Sequence, residues 1–103
     1  MSDYKLLING HMVDGATTMN VVNPANEETL AVCPRADEGQ LNEAVAAAKA
    51  AFVSWSKTTM DERKAVISQI ADVIEANGAE LAQLLTQEQG KPLADATGEV
   101  YGT

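Results

Sequence analysis

Between Pro34 and Asp37 the chain changes period, and that change decides most of what it can fold into. Ahead of it, short apolar runs are separated by turn residues: Lys5-Leu6-Leu7-Ile8, then Asn9-Gly10, then His11-Met12-Val13. Asn-Gly is the strongest short hairpin signal, because a type I′ turn needs positive φ at both central positions. Asp14-Gly15 marks a second turn, Met19–Val22 a further strand, and Asn23-Pro24-Ala25-Asn26 a turn with proline at its second position. Thr29–Cys33 completes a second hairpin, and Pro34, which has no amide hydrogen, is expected to end the ladder.

Behind the boundary, apolar residues recur every three to four positions. Asp37 and Gln40 predict a capped helix start. Leu41, Ala44, Val45, Ala48, Phe52 and Trp55 form its stripe. Lys57-Thr58-Thr59 breaks that helix, and Thr59 with Glu62 caps a second, whose stripe is Val66, Ile67, Ile70, Val73 and Ile74. Asn77-Gly78 predicts a stop with one left-handed residue. Asn77 also predicts a new cap with Glu80 as its partner, ahead of a third stripe of Leu81, Leu84 and Leu85. In Glu88-Gln89-Gly90-Lys91-Pro92-Leu93 a helix stop, a base and a helix-starting proline specify a corner, with Pro92 in the first turn of a fourth helix. The fold class is therefore α+β: two N-terminal β-hairpins followed by three to four amphipathic helices, divided at residues 1–36 and 37–103.

Of the 103 residues, 46% are hydrophobic, which is a globular composition, but only Tyr4, Phe52, Trp55 and Tyr101 are aromatic. So thin a core predicts helices that lean on something outside the segment. A net charge of −8 disfavours nucleic acid and anionic lipid, and no apolar run approaches a membrane span. Met1-Ser2-Asp3-Tyr4-Lys5 lacks the start of a signal peptide, so a cytoplasmic setting is expected.

Chemistry is sparse. No two of the seven glycines stand two apart, so the dinucleotide fingerprint is missing. Gly90-Lys91 is not a phosphate loop, because Leu85 and Pro92 occupy the positions that would need glycine and a hydroxyl. Cys33 and His11, 22 positions apart, do not make a zinc site. Cys33 reads as a small buried strand residue, and His11 as a solvated one. Glu27-Glu28 at a turn and Asp61-Glu62 in a first helical turn need no function to explain them. Arg63 and Lys64 read as solvated or in a structural ion pair. Asp95 and Glu99, four apart on one face, read as solvated acids that a cationic partner would stabilise. No catalytic, cofactor-binding or metal-ligating residue is assigned.

In order, Ile8-Asn9-Gly10, Val22-Asn23-Pro24-Ala25-Asn26-Glu27-Glu28, the Ala44–Trp55 stripe, Glu62-Arg63, Ile70-Ala71 with Ile74, Glu80-Leu81 and Glu88–Leu93 resemble the N-terminal region of NAD(P)-dependent aldehyde dehydrogenases. The Glu88–Leu93 run and Gly98-Glu99-Val100 are most similar to the succinate-semialdehyde type. The resemblance implies oxidation of aldehydes to carboxylates through a cysteine thiolate, a glutamate base and NAD or NADP. Those groups belong to parts of the family fold not matched here, and Cys33 does not take the nucleophile's role. It also implies an arm within residues 1–36 that serves oligomerisation, and a helical array in 37–103 flanking a dinucleotide-binding sheet. The partner would be the remainder of a dehydrogenase chain or its subunits, with self-association through hairpin edges or apolar helix faces, and the segment alone would not turn over. The other expectation is a short non-catalytic module that pairs with a dehydrogenase subunit.

Overall fold

The structure is a computed structural model that describes residues 4–103. Its order is β1 (Leu6–Ile8), β2 (His11–Val13), β3 (Thr17–Val22), β4 (Thr29–Arg35), α1 (Glu38–Trp55), α2 (Met60–Ala76), α3 (Gly78–Gln89) and α4 (Leu93–Tyr101). The strands make two separate two-stranded sheets, β1–β2 and β3–β4. The α+β architecture of two hairpins and then helices is the one expected, with four helices. Backbone contacts divide the chain into two units, Met1–Val21 with Thr29–Lys57, and Val22–Glu28 with Thr58–Thr103. The units thus interleave across the change of period: α1 belongs with the strands, and the turn between β3 and β4 belongs with α2, α3 and α4.

In the first unit, β1 and β2 pair antiparallel with Leu6 opposite Val13, Leu7 opposite Met12 and Ile8 opposite His11. Asn9 and Gly10 hold φ of 51° and 77°, the two positive values a type I′ turn requires. Period two then sorts the side chains. Ile8 is buried, while the cross-strand pair Leu7 and Met12 lies on the other face in solvent.

Gln40 ties the loop after β2 to the start of α1. Its amide nitrogen donates to the Asp14 carbonyl at 2.8 Å, and its Oε1 accepts from the Ala16 amide at 2.9 Å. Asp37 Oδ1 accepts from the Gln40 amide at 2.8 Å, and Gln40 Oε1 also meets the Asp37 amide at 3.4 Å, so the expected capping box is present. Gly15 lacks a side chain for lack of room: a Cβ there would lie 2.6 Å from the Arg35 backbone nitrogen and 2.8 Å from the Thr17 carbonyl oxygen.

Pro34 does not end its strand; β4 runs through it to Arg35. Each strand of a two-stranded sheet has one unpaired side, and a residue whose nitrogen faces that side forfeits no ladder bond.

In the second unit, the turn after β3 is built from asparagine side chains. Asn23 Oδ1 accepts from the Ala25 amide at 2.9 Å, and Asn26 Oδ1 accepts from the Glu28 amide at 3.1 Å. Glu27, not a glycine, takes the positive φ of 61°. At α2, Thr59 is extended with ψ 164° and completes the expected capping box with Glu62.

Asn77 departs from expectation twice. Neither it nor Gly78 has positive φ. Nor does it cap α3: its ψ of 12° is near-helical, unlike the extended Asp37 and Thr59, so its side chain cannot turn forward onto the new amides. Its side-chain amide instead donates back to the Val73 carbonyl at 2.8 Å, closing α2. The left-handed stop falls at Gly90, with φ 75°, whose amide donates to the Thr86 carbonyl at 2.8 Å. Pro92 stands one position ahead of α4 as its cap, its carbonyl accepting from the Ala96 amide at 3.0 Å.

Candidate functional site

The chemistry-bearing residues are scattered. His11 is exposed on β2, and Cys33 is half-buried in β4, in the expected strand but less enclosed than anticipated. Arg63 is part-buried and its Nε donates to the Thr58 hydroxyl at 3.0 Å. Glu99 has a cationic partner within the chain: Lys91, from the corner ahead of α4, forms an ion pair with it. Asp95 remains exposed. Among the described residues there is no group of three or more histidine, cysteine or acidic side chains placed to hold a metal.

One acid is electrostatically perturbed. The Thr59 backbone amide donates to Glu62 Oε2 at 2.7 Å and the Thr59 hydroxyl at 2.9 Å, and these bonds hold the Glu62 carboxyl below the usual carboxylate range. This is a cap, not a general acid or base, because both partners are consumed in starting α2.

What the structure gathers instead is apolar surface. Buried hydrophobic side chains among the described residues are Ile8, Ala82 and Ala96 alone, and no large side chain is fully enclosed. The stripe of α1 stands in solvent at Leu41, Val45 and Phe52, the last 64% exposed. On α2, Ile67 is 65% exposed and Val73 63%, with Val66 and Ile70 also exposed. Between α2 and α4 lies an open groove of about 350 Å³, lined by Ile67, Ile70, Ala71, Ile74, Val100 and Tyr101 among others.

The groove follows from how α4 is seated. α3 and α4 pack through Ala82 and Ala96, at 1% and 0% exposure. Gly78 admits the Tyr101 ring, which a Cβ would meet at 2.4 Å. α4 therefore sits down on α3, and the large residues of α2 keep one side open. Full burial of an aliphatic side chain contributes about 1.5–3 kcal/mol, so covering the α2 face would contribute on the order of 5 kcal/mol. That reaches the lower end of a small domain's total stability, about 5–15 kcal/mol.

Capping boxes on α1 and α2 beside uncovered apolar helical faces fit a portion of some larger protein fold. Sequence comparison says which. The sequence profile of the aldehyde dehydrogenase family matches residues 12–103, and the chain belongs to that family, in its N-terminal portion. It is 44% identical to a probable aldehyde dehydrogenase from a Pseudomonas species over 98% of this chain and 21% of that protein. It is 42% identical to the mitochondrial succinate-semialdehyde dehydrogenase of Arabidopsis thaliana over 93% of this chain and 19% of that one. A Staphylococcus aureus betaine aldehyde dehydrogenase point mutant, solved with NAD+, superposes with a TM-score of 0.90 at 29% identity, over 97% of this chain and 21% of that chain. The chain thus spans about a fifth of the length of the relatives it matches.

Proposed function

We propose that this chain is the N-terminal structural portion of an NAD(P)-dependent enzyme that oxidises an aldehyde to a carboxylate, and that it supplies scaffold, not reacting groups. The observation that carries the reading is the uncovered apolar surface of α1 and α2, on a chain that matches only a fifth of its relatives. In this reading the helices of residues 37–103 flank a dinucleotide-binding sheet contributed by the rest of the family fold. Part of residues 1–36 serves as an arm between subunits, where the short strands β1 and β2 offer unpaired edges. NAD or NADP, the nucleophile and the base belong to the remainder. A succinate-semialdehyde-like substrate and a cytoplasmic setting complete the proposal. No helix among the described residues is long and apolar enough to cross a membrane.

The test is complementation. An aldehyde dehydrogenase lacking the segment that matches residues 12–103 is mixed with this chain, and aldehyde-dependent NADH or NADPH formation is followed. Turnover in the mixture and none from either piece alone is the expected result. Robust turnover by this chain alone, or a mixture whose pieces never associate, contradicts the proposal.

A further inference from the structure

The chain contains Asn-Gly twice, at Asn9-Gly10 and Asn77-Gly78, and the structure treats the two sequences very differently. Asn9 and Gly10 form an exposed hairpin turn. Nothing from elsewhere in the chain lies within 4 Å of where a Gly10 Cβ would stand, so the turn is open to water. Asn77 joins two helices. Its side-chain amide is tied to the Val73 carbonyl at 2.8 Å, and its backbone amide contacts the Val73 and Ile74 carbonyls at 3.2 Å. Gly78 behind it is buried beneath Tyr101.

We propose that Asn9 is a site of spontaneous backbone-assisted deamidation, and that the fold shields Asn77 from the same reaction. The Gly10 backbone nitrogen, having given its proton to water, attacks the Asn9 side-chain carbonyl carbon. A carbon–nitrogen bond forms to close a five-membered imide, and the Asn9 amide nitrogen leaves as ammonia. Water then opens the imide at one of its two carbonyls. Opening at the side-chain carbonyl leaves aspartate in an unaltered main chain. Opening at the main-chain carbonyl routes the backbone through the side chain as isoaspartate. Glycine favours the attack because no Cβ hinders its nitrogen.

The two products act differently on the fold. Aspartate-glycine still suits a type I′ turn. Isoaspartate adds a backbone carbon to a two-residue loop, so the register of Leu6–Val13, Leu7–Met12 and Ile8–His11 is lost. Ile8, next to the turn and one of the few buried hydrophobic residues, would then leave its place.

The full chain is aged at mildly alkaline pH, digested, and mapped by mass spectrometry with enzymatic methylation of isoaspartate. A parallel sample is aged in concentrated urea. We expect modification in the Asn9 peptide to exceed that in the Asn77 peptide about tenfold in the folded chain, because attack at Asn77 waits on local opening. In urea the two should react at similar rates. Equal rates without urea, faster reaction at Asn77, or a folded Asn9 peptide that stays intact while its urea-treated counterpart reacts would each overturn the proposal. Asn9→Gln, which keeps the amide but not the five-membered ring, should abolish the signal at that peptide.

Discussion

The α3–α4 joint and the α2 face lie in the same unit and solve opposite problems. At the joint, small residues let two helices meet closely: Ala82 and Ala96 are sealed, and Gly78 makes room for Tyr101. On α2 the residues are large, branched and apolar, yet half or more of Ile67, Ile70 and Val73 faces solvent. In this unit the sealed packing uses small residues, and the large ones of α2 stand in solvent, which the proposed function explains by a covering surface from the rest of the family fold. Residue size, more than hydrophobicity, separates the two regions.

The sharpest way to break this contrast is to enlarge the joint. Ala96→Leu forces a branched side chain into a fully enclosed site, and we expect a loss of about 1–3 kcal/mol in urea unfolding. Ile67→Ser, on the open face, should change the stability of the lone chain by about 0.5 kcal/mol or less, yet prevent association in the complementation assay. If the two substitutions cost the chain equally, the contrast is wrong.

The corner that seats α4 comes next. Gly90→Ala places a side chain at φ 75° and brings its Cβ to 3.1 Å from Pro24 Cγ. A loss of about 1 kcal/mol is expected, read by the same unfolding curve. Thr59→Ala removes the α2 cap and should cost about 1 kcal/mol in helix stability by circular dichroism.

The smallest effect concerns acid. The Thr59 bonds depress the Glu62 carboxyl in the folded chain, so their contribution is complete above the unfolded glutamate value, about 4.3. It fades as pH falls through the lower folded value. The start of α2 should fray in that window, and Glu62→Gln should flatten the pH dependence while keeping a weaker cap. An unchanged acid profile in that variant would show that the cap does not act through the charge.

Local chemistry was readable because it is decided within a few residues. Asn9-Gly10, Asp37 with Gln40, and Thr59 with Glu62 each carry their partner three positions away or nearer, and each does what its spacing predicts. Failures came where distant chain decides. Asn77 looks like a cap, but helix follows helix so directly that its backbone never extends. Asn77-Gly78 does end α2, but without the left-handed residue expected, and Gly78 is needed there for Tyr101, 23 residues on. Pro34 looks like a strand end, but β4 runs past it to Arg35 in a sheet of two strands, where each strand has one unpaired side. Leu81 was expected in the third stripe, yet Ala82 beside it is the buried residue, because close helix contact favours the smaller side chain. In the candidate site, the stripes of α1 and α2 were legible, and so was their exposure. The Lys91–Glu99 pair was legible only as two acids that would welcome a cation.

Hydrogen exchange on the chain alone, resolved helix by helix, tests the central claim most directly. Amides of α3 where it packs on α4 should exchange more slowly than those of α2, and adding the complementary dehydrogenase piece should slow α1 and α2 selectively. If α2 is already as protected as α3 in the lone chain, its apolar face has no missing partner and the account fails.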